Sequence, residues 1–167
     1  MPKSYAERKL CLANRLTTPL YLSTMNVPGL RSPHVKAGGI AYFARMLDKI
    51  RLHAAGTLPT DYQENLGGGF DGFCCKFLGL DYKAFSDRAT EGGSDDEVLA
   101  WAFTQSPRPA DHLVLAWNEF MRKRGWNDEA SERLAMRKRE SGFPERDDIQ
   151  TFFDYIDMDE GRDPKGR

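Results

Sequence analysis

A chain of 167 residues, 40% hydrophobic and 11% aromatic, holds enough apolar material for one domain of ordinary size with a real core, without disulfides or a structural metal. Its 24 Lys and Arg against 25 Asp and Glu leave a formal net charge of −1, so no global pull draws it toward nucleic acid or an anionic membrane. Three cysteines, two of them adjacent at Cys74 and Cys75, cannot form a disulfide framework, and a reducing, cytoplasmic compartment is expected.

The chain opens on MPKSYAERKLCLANRL, which is charged throughout and has no apolar h-region. It reads as an N-terminal helix over 1–18 rather than a secretory signal. No apolar run approaches the roughly 20 residues that span a bilayer, so no membrane association is expected. Four Val and four Ile cannot fill a sheet of normal size. The expected fold is therefore all-α, a single compact domain of six to eight helices with little or no β.

Residues 19–39 hold three prolines and three glycines and read as an ordered loop. A helix is predicted over 40–54, where Ile40, Phe43, Met46, Leu47, Ile50 and Ala54 share one face at 100° per residue. Arg45 and Lys49 point away from that face, with Asp48 and Arg51 at its edge. A short helix over 70–78, stopped by Gly79, should bury Phe73 and Phe77, and one over 82–90 is halted by EGG. Ser94 and Glu97 form a capping box for a helix through Phe103, ended by SPRP. Leu113, Ala116, Trp117 and Phe120 line one face of a helix over 110–124. A basic helix covers about 128–140 and stops at SGFP. Asp147 with Gln150 starts the last helix, turning Ile149, Phe152, Phe153 and Ile156 inward, and residues 160–167 are expected to fray.

One stretch carries a resemblance. Leu30, Arg31, Ser32 and Pro33 are followed by Gly38 and Gly39, then by Arg45, Met46, Leu47, Asp48 and Lys49. Phe77, Leu78, Gly79, Leu80, Asp81 and Tyr82 come later, and Asp96, Glu97, Leu99 and Trp101 later still. This pattern resembles a small bacterial family built on a domain of unknown function, over roughly residues 20–125. The chain departs from it at 63–70, where three glycines replace a more polar approach to Asp71. The resemblance implies a single helical domain in a bacterial protein, and no activity.

The candidate sites divide by chemistry. From Gly67 the chain spells G-G-G-F-D-G, a literal G-x-G-x-x-G. A dinucleotide site needs a hydrophobic strand ahead of the glycines, but TLPTDYQEN is polar and broken by proline, and the G-K-[ST] of a phosphate loop is missing. The run is read as a tight turn into a helix, with an open question about anions at that helix N-terminus. Asp71 in the first turn would oppose an anion and instead cap the helix or favour its dipole.

Arg31, His34, Arg45, Lys49 and Arg51 gather around Asp48 and are the ligand-binding candidates, because a carboxylate flanked by arginines can orient an anionic group. The simpler alternative is an Asp48 pair with Arg45 or Arg51 at i,i±3 that braces the loop at 31–39. His34, His53 and His112 are too dispersed for a metal motif, Cys74-Cys75 lacks C-x-x-C spacing, and DMDEGRD fails as a calcium loop at its fifth and sixth positions. Neither metal nor cofactor is expected. Arg122, Lys123, Arg124, Arg133, Arg137, Lys138 and Arg139 cluster around Trp126, but interleaved Asp128, Glu129, Glu132 and Glu140 argue against nucleic acid.

The functional expectation is a binding or interaction protein that takes a small anionic ligand or a protein partner. The alternative is a small enzyme using Asp48 or Asp71 as acid/base, with Arg31 or Arg45 holding an anionic substrate. No pattern in the chain fixes its oligomeric state.

Overall fold

A computed structural model describes residues 26–164. The expected N-terminal helix and Cys11 lie outside them. The described residues form eight helices and one two-stranded ladder, a mostly α fold. None of these helices is long and apolar enough to cross a membrane. The chain divides into two compact units, Val27–Lys123 and one that contains the residues from Arg124 onward.

In the first unit β1 (Lys36–Ala37) pairs antiparallel with β2 (Ile40–Ala41), with Lys36 opposite Ala41 and Ala37 opposite Ile40. The turn is Gly38-Gly39, both at positive φ, as the tight primed turn of a hairpin requires. Part of the expected 19–39 loop is thus a hairpin, and its pairing delays the following helix to α1 (Phe43–Ala54).

Every residue of α1 from Phe43 to Ile50 is buried, including Arg45, Asp48 and Lys49. The expected outward-facing polar edge is missing from Phe43 to Ile50, which are covered on all sides. The last turn reaches solvent, with Arg51 and Leu52 half-buried and His53 and Ala54 exposed, the last against its expected place on the inner face. Short α2 (Thr60–Gln63) leads to α3 (Gly69–Leu78), which stops at Gly79 in the left-handed conformation. The Leu80 N–H then closes back on the Cys75 carbonyl at 2.9 Å, the C-terminal device that glycine permits. Then come α4 (Tyr82–Thr90), α5 (Asp95–Gln105) and α6 (Asp111–Lys123). The Asp81 carboxylate caps α4, and the expected capping box of Ser94 and Glu97 starts α5. Phe43 meets Phe85 edge-on at 5.5 Å inside a core shared with Met46, Leu47, Val98 and Met121.

The second unit holds α7 (Ser131–Glu140) and α8 (Phe152–Asp159). Leu134, Ile149 and Tyr155 form its core, with Phe143, Phe152, Ile156 and Met158 packed against them. Helix α8 begins at Thr151, not Asp147. The Thr151 hydroxyl accepts the Asp154 N–H while the Asp154 carboxylate accepts that of Thr151, and this reciprocal box prevails. Asp147 and Gln150 lie in the approach to it. Arg162 returns from beyond the helix to Asp157 and Glu160.

Candidate functional site

Burying α1 forces its charges into pairs, since an uncompensated charge in an apolar surrounding is prohibitively costly. Asp48 takes the guanidinium of Arg31 in a two-pronged bond, Nε at 2.7 Å and Nη2 at 2.7 Å, and also accepts the Arg31 backbone N–H at 3.0 Å. A second prong of Arg31 donates to Asp95 at the first position of α5, at 2.6 Å, and Nη2 also reaches the Ala44 carbonyl. Arg51 meets the other oxygen of Asp95 at 2.7 Å and the Gly93 carbonyl at 2.9 Å. Asp48, Arg31, Asp95 and Arg51 thus form one continuous chain of alternating charge.

Desolvation pushes the Asp95 carboxyl up, and the two arginines overcome it and hold it below the usual aspartate range. The Arg31 guanidinium is raised, its bond to Asp48 outweighing burial. The loop is therefore braced as expected, but not by an i,i±3 pair. Arg45 instead donates to the Arg31 carbonyl at 2.7 Å and lies over the Tyr62 ring.

Asp71 is fully buried. It accepts Lys49 Nζ on both oxygens at 2.8 Å, the Tyr42 hydroxyl at 2.9 Å and the Gly67 N–H at 3.2 Å. The carboxylate thus places its own negative charge in the first turn of α3 and takes the Gly67 N–H ahead of it. Gly67 has φ +71, and a Cβ there would stand 2.7 Å from the Tyr82 ring, so the first glycine serves a close approach. Tyr42 also adopts left-handed backbone, φ 72, at the N-cap of α1. Burial and the facing Asp71 carboxylate push its hydroxyl far up, which keeps it a donor.

The structure brings Arg31, Arg45, Asp48 and Arg51 into one network and joins Lys49 to Asp71 in another. His34 sits in the turn after Pro33, its backbone N–H on the Ser32 hydroxyl. Sequence reasoning missed Asp95 and Tyr42. An acidic residue opening α5 next to a capping box was a usable signal for Asp95; nothing local marks Tyr42 as the partner of Asp71, 29 residues away.

A second feature lies where α3 meets α6. Phe70, Phe73 and Phe77 recur at i, i+3 and i+7, and Leu113, Trp117 and Phe120 at i, i+4 and i+7. The Phe77 ring stacks on the Trp117 indole at 4.6 Å and 6°, and Phe73 meets Phe120 edge-on at 6.1 Å. The indole N–H is tied to the Ala41 carbonyl at 3.1 Å. The buried stripe of α6 is Val114, Trp117 and Met121, which rotates its apolar neighbours outward. Leu113 is 48% exposed, Phe120 43% and Phe73 37%, against the expectation that Phe73 would be inside. Among the described residues no three His, Cys, Asp or Glu side chains are grouped to hold a metal ion.

Fold and site together define a predominantly α-helical protein whose first unit holds a helix buried from Phe43 to Ile50, a loop braced against that helix, and an aromatic strip partly exposed to solvent. No curated protein matches the chain. The chain belongs to the family described as Domain of unknown function (DUF5069), which it matches over residues 27–162.

Proposed function

We propose that this protein is a non-catalytic interaction module of the bacterial cytosol, and that its contact face is the aromatic strip between α3 and α6. The observation that carries the reading is a contrast. The charged candidates Arg31, Arg45, Lys49 and Arg51 spend their donors on Asp48, Asp95, Asp71 and backbone carbonyls, whereas Phe73, Leu113 and Phe120 keep large apolar area in water. Aromatic side chains are the usual anchors of protein interfaces. The enzyme alternative is poorly served: Asp71 is closed from solvent, and Asp48 is occupied by a two-pronged arginine. The buried free thiols Cys74 and Cys75 suit a reducing compartment.

The test is a photo-crosslinking amino acid placed at 73, at 120 or at exposed Glu91, in cells of a bacterium that carries the protein. Positions 73 and 120 should give the same discrete protein adduct, and Glu91 none. Absence of adducts at 73 and 120, together with a metabolite-induced rise in melting temperature that Arg51→Ala abolishes, would transfer the function to a small anion.

A further inference from the structure

We draw no further inference here: the strongest candidate, the partly exposed aromatic surface patch of α3 and α6 around Phe73, Leu113 and Phe120, belongs to the contact face already described, and nothing in the structure shows what covers it.

Discussion

Asp71 shows what a single buried carboxylate demands of its surroundings. Lys49, Tyr42 and the Gly67 amide supply four donor contacts to its two oxygens, and none of these partners is near it in the chain except Gly67. Removing the acid alone leaves an ammonium ion in an apolar core, so Asp71→Ala should lower stability by about 3–5 kcal/mol, measured by urea unfolding. Replacing both ions with apolar residues of similar volume, Lys49→Met with Asp71→Leu, should recover most of that loss. The adjacent thiols illustrate the opposite case, polar groups left uncharged. Desolvation, with Asp71 adding to it, pushes Cys75 up to about 12, and burial raises Cys74 far above its ordinary value. At pH 8 the native protein should therefore leave both unmodified by a maleimide, while the unfolded chain reacts at both, as peptide mapping would read. The residue level was the least legible in the sequence. Asp48 has arginines at i−3 and i+3, yet it is held by Arg31, 17 residues upstream. Spacing along one helix cannot reveal a partner delivered by a loop.

At the scale of elements the sequence was far more informative, because caps and breakers act locally. The 82–90 helix has its expected bounds, Gly79 stops α3, and the Ser94–Glu97 box forms with both bonds in place. Ser94→Ala should cost about 1 kcal/mol, seen as a lower melting temperature, with Ser94→Asp retaining most of the stability. The errors share a cause. A helical wheel assumes a helix that shows one face to water, whereas α1 shows none from Phe43 to Ile50, so the polar edge a wheel assigns to Arg45 and Lys49 is buried. The Gly38-Gly39 pair was legible as a break but not as a hairpin turn, because strands of two residues leave no alternating pattern. Thr151 with Asp154 is a box of the same kind as Ser94 with Glu97. Its signal in the sequence is weaker, because aspartate is one methylene shorter than the glutamate or glutamine of the usual box.

For the molecule as a whole, the shifted groups define the pH range over which the fold is most stable. Asp95 and Asp128 are desolvated yet held below the ordinary aspartate value by arginines and backbone amides, and Glu97 and Glu119 are lowered by Ser94 and by Arg122 with Lys123. A carboxyl lowered by folding binds fewer protons in the native state than in the unfolded chain. Its stabilisation is complete above the ordinary values of 3.8 and 4.5 and is lost as the pH falls through the native ones. Tyr42, Tyr82 and Cys74 are raised, so their neutral forms favour the fold, and this contribution fades as the pH climbs through the ordinary values of 9.0 to 10.0. The melting temperature should be level across neutral pH, fall below about pH 4.5 and again above about pH 9, and Asp95→Asn should flatten part of the acid limb. The fold class was readable from the scarcity of β-branched residues. The aromatic strip was readable only as two separate apolar stripes, because their meeting depends on how α3 and α6 pack.

The stacked indole of Trp117 has an optical consequence. Its ring lies flat on Phe77 and its N–H is tied to the hairpin, while Trp126 stands half in water. With Trp101 and Trp126 changed to phenylalanine, the remaining emission would come from the floor of the strip itself. The protein would then carry its own fluorophore, blue-shifted at rest, turning red if the hairpin lifts away and changing in intensity when a ligand closes over Phe73 and Phe120.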